Sequence, residues 1–351
     1  MTDKDIPILF IGNHLSRTGR NVGVSEILAM QLSLLGWKSI ITSLISNKFF
    51  RFLDMLSTII FKRNKYNLSI IEVFSGCAFY WAFFCGGLLT LLKKPFILVL
   101  HGGNLPNFAN SHTFFVRKLF SWAKEVCSPS MYLKEKLSTF YPNIKIIPNP
   151  IEIDRYSFRP RNQISPKLIW LRAFHEIYNP SLVPKILSIL VNNELNVFEV
   201  LMVGPDKGDG SLQRMIVLAE KLKVDQYIKI VPGVSKDQVP LYLNQGDIFI
   251  NTTNVDNTPV SVIEAMASGL CIVSTNVGGI PYLLEHEFDA LLVPPDDKEA
   301  MAAAILRLLI EPELAPRLST NARKKAEQFD WSIILPQWET MFEEVLSKKE
   351  N

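Results

Sequence analysis

Cysteine and histidine are scarce in this chain, at four and five residues of 351. The thiols, Cys77, Cys85, Cys127 and Cys271, form no C-x-x-C pair and have no histidine at ligand spacing. That excludes a zinc motif or disulfide framework as the organising feature and predicts buried free thiols in a reducing compartment. The first seven residues carry acids where a secretory signal would be basic, and no long apolar core follows, so a cytoplasmic location is expected. There is no tight internal repeat and no low-complexity tract. With 48% hydrophobic and 20% charged residues, the composition is that of a globular protein. The one long uncharged run, residues 73–92, could span a bilayer by length. Gly86-Gly87 and Ser75-Gly76 interrupt it, and β-type runs flank it, so it reads as a buried crossover helix.

Net charge is only +3, but it is unevenly placed. Residues 1–160 hold 19 Lys and Arg against 9 Asp and Glu, whereas the remainder holds 18 against 25. This asymmetry predicts two bodies, the first of which meets an anionic surface. Residues 48–66 concentrate it, with five cations, one acid and many large apolar groups. Two readings stand for this segment: peripheral contact with anionic lipid, and an ordinary surface helix with an apolar core face. Nucleic acid is not expected, because no reader motif or stacking platform accompanies the charge.

Strand, Gly/Pro/Asn loop and amphipathic helix alternate along the chain. Strands are expected at 7–11, 38–42, 68–71, 96–100, 125–128 and 144–147, then at 167–171, 197–203, 228–231, 247–251, 271–274 and 290–293. Such alternation implies α/β architecture with parallel sheets covered on both faces. The proline-bearing segment 149–166, read as a linker, separates two doubly wound Rossmann-like domains, 1–160 and 161–330, facing across a cleft. A helix near 332–346 closes the chain.

Ligands of open parallel sheets bind beyond the strands' carboxyl ends. The most informative loop there is 251–259, entering a helix with Thr258 as expected N-cap and Pro259 at its first position. Asp256 and Glu264, about two turns apart, can hold different hydroxyls of one polyol ligand. On spacing alone, a loop acid and a solvated helix acid remain an equal reading.

Asp256-x7-Glu264 with Pro259, Ala265-Met266-Ala267-Ser268-Gly269 and Val277-Gly278-Gly279-Ile280-Pro281 resemble the nucleotide-sugar signature of family 4 glycosyltransferases of GT-B fold. His101-Gly102, Ser128-Pro129-Ser130, Ile147-Pro148-Asn149-Pro150, Arg172, Val203-Gly204-Pro205 and Pro232-Gly233 follow in the family's order. The match is dense over 167–309 and thinner before Pro95. The resemblance implies a retaining, metal-independent hexosyltransferase without cofactor, using a nucleoside diphosphate sugar as donor. Its acceptor would be a glycan or lipid-linked glycan of cell-surface polysaccharide synthesis, handled at the inner face of the membrane. It also implies that the closing helix, within 331–351, packs back on the first domain.

By the same resemblance, His101, Asp256 and Arg172 form the catalytic set, and Gly12, Gly204, Asn257, Thr258, Pro259 and Glu264 the donor-binding set, with no metal ligand. Glu264 would take the ribose hydroxyls and Asp256 the sugar, helped by the N–H groups of Asn257 and Thr258. Arg172 would hold the diphosphate, Gly12 would approach it, and residues 230–234 would meet the base. His14 and His175 match no motif position and read as structural. Two residues depart from the pattern: Asp256 replaces a glutamate, and Tyr178 stands where a second diphosphate cation, a lysine, is usual. Arg20 or Lys207 is the expected substitute. A nucleotide-sugar epimerase of this fold and a non-catalytic glycan-binding subunit remain as alternatives.

Overall fold

The computed structural model describes residues 4, 6–14, 23–191 and 198–347. The chain divides into two compact units, one built from the chain up to Pro150 together with the chain from Trp331 onward, the other Ile151–Asp330.

The first unit holds six parallel strands: β1 (Ile8–Ile11), β2 (Ser39–Thr42), β3 (Leu68–Val73), β4 (Phe96–Leu100), β5 (Glu125–Ser128) and β6 (Lys145–Ile146), in the order β2-β1-β3-β4-β5-β6. Successive strand residues point to opposite faces, and both faces are buried here. Leu9, Ile11, Ile71, Val73, Leu98 and Leu100 belong to one core cluster, and Ile8, Phe10, Leu68, Ile70 and Ile97 to another. Burial on both sides explains why these strands read as unbroken apolar runs. Residues 73–92 resolve into the end of β3 and the helix Cys77–Leu91, whose Phe79, Ala82, Cys85 and Leu89 enter the first cluster. Among the described residues no helix is long and apolar enough to cross a membrane.

The second cluster is completed by the helix Trp331–Ser347, whose Trp338, Met341 and Phe342 lie with Leu28, Leu32 and Trp37. Phe342 is fully buried and meets Trp37 edge-on at 5.5 Å. Truncating such a ring costs about 3–5 kcal/mol. Phe342→Ala is therefore expected to lower the thermal midpoint by several degrees, and calorimetry checks this.

The second unit repeats the plan with β7 (Lys167–Leu171), β8 (Glu199–Val203), β9 (Ile228–Val231), β10 (Ile248–Asn251), β11 (Cys271–Thr275) and β12 (Leu291–Val293). Their order is β12-β11-β10-β7-β8-β9, again all parallel. Strand order reverses between β7 and β10 here, and between β1 and β3 in the first unit. In each sheet the switch point leaves a crevice at the strands' carboxyl ends.

Three expectations are corrected. Residues 151–160, assigned by sequence to the first domain, and the remainder of the linker reading to 166 belong to the second unit. Ile151 bridges Asp330, Tyr156 enters its core, and the wholly buried Arg161 places Nε 3.0 Å from Asp247 Oδ1 while donating to the Gly246 carbonyl. A buried guanidinium must be paired, and Asp247 supplies the pair. Cys77 is exposed at the start of its helix, and only Cys85, Cys127 and Cys271 are buried thiols. Burial pushes the Cys85 and Cys271 thiols up to about 12, which keeps them protonated and unreactive. Residue 197, expected to begin β8, lies outside the described residues, as do residues 15–22, Arg20 among them.

Candidate active site

At the switch point of the second sheet, Arg172 follows β7, Gly204 follows β8, and the loop 252–259 follows β10. Thr252 accepts from Trp170 Nε1 at 2.9 Å and donates to the Tyr178 carbonyl at 2.7 Å, while Asn254 N–H donates to the Ile177 carbonyl. These bonds dock the loop on the short 3-10 turn Glu176–Tyr178. Tyr178 thereby lies beneath Arg172, whose guanidinium carbon is 4.3 Å from the ring centroid. Arg172 forms an ion pair with Asp256, and its Nε is buried without a hydrogen-bond partner among the described residues. A guanidinium fixed between a ring and one carboxylate, with a donor to spare, suits a planar bidentate anion such as a diphosphate oxygen pair.

The glycines of the signature explain how the loop holds its shape. A Cβ on Gly204 would overlap the Arg172 carbonyl oxygen, one on Gly278 the Asp256 carbonyl oxygen, and one on Gly279 the Asn257 carbonyl oxygen. The Asp256-Asn257 and Gly278-Gly279 segments thus interlock by backbone contact, with Gly279 N–H donating to the Asp256 carbonyl at 3.1 Å.

The helix that follows is Val260–Ala267, with Pro259 at the N-cap, φ −71° and ψ 117°, and Thr258 outside it. The expected cap was one residue early, because proline's fixed φ suits the extended cap position as well as the first turn. The Asn257 N–H, expected to help hold the sugar, donates to Asp256 Oδ1 at 2.9 Å. Glu264 is 8% exposed, and burial pushes its carboxyl above the usual range, opposed by the Tyr156 hydrogen bond and the charges of Lys236, Arg155 and Arg172. Tyr156 Oη donates to Glu264 Oε1 at 2.9 Å. Sequence reading missed Tyr156, since it lies in the segment taken for linker; its aromatic character just after Ile147-Pro148-Asn149-Pro150 was the available signal. Lys207 is exposed on the loop after β8, with its N–H on the Phe174 carbonyl. His175 accepts from Ile177 N–H at 3.2 Å, a capping role.

The first unit gathers its own polar groups at the β1/β3 switch point. His101 follows β4 and donates its N–H to the Val73 carbonyl at 2.8 Å, and Phe74 stacks on its ring at 4.8 Å. Glu72, near the end of β3, accepts from Asn13 N–H at 3.2 Å and from Ser25 Oγ, and lies 3.9 Å from His101 Nε2. A Cβ on Gly12 would overlap the Glu72 carboxylate, so a larger residue there would displace that side chain. Glu72 was also missed. The sequence reading ended this strand at residue 71, although a lone acid in an apolar strand was a usable signal.

His14 is buried and the His101 side chain is 12% exposed, and desolvation holds both imidazoles below the usual value. In the unfolded chain they take up protons below about pH 6.5, whereas the folded chain resists. Stability is therefore lost as pH falls through that range. The midpoint advantage of a His14→Gln variant over the native chain is expected to grow between about pH 7.5 and 5.5, measured by thermal melts.

Residues 157–325 match the model of the family described as Glycosyl transferases group 1. The chain is 30% identical over 134 residues to a D-inositol 3-phosphate glycosyltransferase of Saccharomonospora viridis (38% of this chain, 31% of that one). It is 31% identical over 143 residues to the amylovoran biosynthesis glycosyltransferase AmsK of Erwinia amylovora (39% and 34%). It thus spans about a third of the length of these curated relatives. The crystal structure of Anabaena HepE in complex with UDP superimposes with a TM-score of 0.79 at 14% identity, covering 97% of this chain and 100% of that one. The fold is accordingly GT-B-like.

Proposed function

We propose, since residues 157–325 match the model of the glycosyl transferases group 1, that this chain is a retaining, metal-independent transferase that moves a hexose from a nucleoside diphosphate sugar to a glycan or lipid-linked acceptor. The observation that carries this reading is the cluster at the β7/β10 switch point: Arg172 between Tyr178 and Asp256, with Glu264 held by Tyr156. Arg172 binds the diphosphate and offsets the charge that grows on the leaving phosphate. Glu264 Oε1 is engaged by Tyr156, which leaves Oε2 to accept ribose hydroxyls. Asp256, paired with Arg172, meets the sugar and limits how far the guanidinium can move. Tyr178 supplies no charge, but its ring orients the Arg172 guanidinium. The leaving phosphate assists attack on the same face, which retains anomeric configuration. The polysaccharide role is supported by the resemblance to the amylovoran enzyme.

The test is product analysis with and without acceptor. Transfer only when acceptor is present supports the reading, whereas conversion of free nucleotide sugar would instead identify an epimerase.

The membrane partner is part of this proposal. The helix Lys48–Phe61 exposes Phe49, Phe50 and Phe61, and Lys62, Arg63 and Lys65 follow it at the surface. Arg51, one of the five cations, is instead buried and bonded to the Ile45 and Ser46 carbonyls and Asn13. Ring contacts from Phe52 to Phe84, and from Phe83 to Phe115, connect this helix to the helices Cys77–Leu91 and Thr113–Trp122, which expose Phe84, Leu91 and Phe114. Each surface cation near anionic lipid contributes about 1 kcal/mol. Reversing Lys62, Arg63 and Lys65 to Glu is expected to release the protein from phosphatidylserine vesicles in sedimentation. Unchanged binding would contradict a cationic contact at the inner membrane face.

A further inference from the structure

Glu72 has no role in the chemistry so far, yet it is the carboxylate at the β1/β3 switch point. Three segments converge on it. The turn after β1 donates Asn13 N–H and presents Gly12 without a side chain, the helix Val24–Leu34 donates Ser25 Oγ, and His101 brings Nε2 to 3.9 Å. Its side chain is only 9% exposed. A buried carboxylate needs such donors, but two neutral ones would satisfy it; the imidazole is the additional neighbour. His101 is held from the other direction by Phe74, stacked at an interplanar angle of 17°.

We propose that Glu72 is a positioning residue for sugar transfer, fixing the His101 imidazole with Nε2 toward its carboxylate and the opposite edge presented to the reaction. At 3.9 Å the carboxylate is beyond hydrogen-bond length and Nε2 has no hydrogen-bond partner among the described residues, so Glu72 acts by charge, favouring the proton on Nε2, while Phe74 sets the ring plane. It also ties this ring to the Gly12 turn, so the two groups of the first unit implicated in the reaction share one support. The inference rests on His101 serving the transfer reaction described above.

The test is a double-mutant cycle on the full chain with Glu72→Gln and His101→Ala, reading kcat and donor KM separately along with the thermal midpoint. Gln retains the shape and an acceptor for Asn13 N–H. Partners that orient a metal-bound imidazole cost about ten- to a hundredfold when removed, and a loss in that range is the expected scale here. Glu72→Gln is expected to lower kcat by about that factor with donor KM within about threefold, and to change kcat less than about twofold in the His101→Ala background. Wild-type kcat in Glu72→Gln, or the same loss in both backgrounds, would overturn the positioning role. If His101→Ala itself keeps full kcat, the reading of His101 fails and takes this inference with it. That outcome is distinguishable from a failure of Glu72 alone. Should Glu72→Gln not fold, Glu72→Asp, which keeps the charge, is expected to fold with kcat reduced and KM retained. Full activity in that variant together with wild-type His101 imidazole nitrogen shifts would overturn the proposal.

Discussion

Arg172→Ala is expected to lower the transfer rate by about 10²–10³-fold, the usual consequence of removing one fixed donor from a developing anion. The effect should be at the upper end if Arg172 is the main diphosphate contact, because Tyr178, which stacks on its guanidinium, brings no second charge. Stability falls as well. Removing one partner of a buried pair costs about 3–5 kcal/mol, and Arg172 and Asp256 have side-chain exposures of 14% and 13%. The kinetic claim is therefore best read on Arg172→Lys, which retains the charge and loses the planar fork. Its thermal midpoint should lie close to the native one, while kcat drops by at least about tenfold. Equal kcat in the Lys variant and the native chain would show that bidentate geometry is not required.

The second large effect is structural. Gly279→Ala is expected to prevent the second unit from folding to its native state, because the new Cβ would overlap the Asn257 carbonyl oxygen, a backbone atom that cannot swing aside. A suitable comparison is Gly102→Ala, where φ is +84° and nothing lies near the new methyl. There only the left-handed backbone penalty applies, about 1–2 kcal/mol. Thermal melts should rank Gly279→Ala far below Gly102→Ala. Similar midpoints would mean that the Asp256-Asn257 and Gly278-Gly279 segments are not interlocked as described.

The sheets were legible because both of their faces are buried. Continuous apolar runs such as Ile8–Ile11, Phe96–Leu100 and 248–250, each followed by glycine, histidine or asparagine, announce parallel strands. Strand order was not legible, since it depends on which runs pair across long separations, as Ile8 does with Leu68 and Ile248 with Leu168. In the candidate site, the residues proposed by pattern lie on the signature loop, on its helix or at strand ends: Arg172, Gly204, Asp256, Glu264 and His101. What escaped were their supports. Tyr156 reaches Glu264 across 108 positions and Glu72 reaches Ser25 across 47, and no local periodicity encodes either contact. Arg51 misled for the same reason. Its partners, Asn13 and the turn at Ile45–Ser46, bury a charge that composition places at the surface.

The central claim is that the β7/β10 switch point grips a nucleoside diphosphate sugar through Arg172 and Glu264. The most direct measurement is thermal stabilisation of the native chain, Arg172→Lys and Glu264→Gln by UDP, GDP, ADP and dTDP sugars. A ligand at 100 times its dissociation constant adds about 2.7 kcal/mol, which a melt resolves. The account predicts that one nucleotide class raises the native midpoint and raises those of the two variants much less. No shift with any of the donors, or equal shifts in all three proteins, would contradict it.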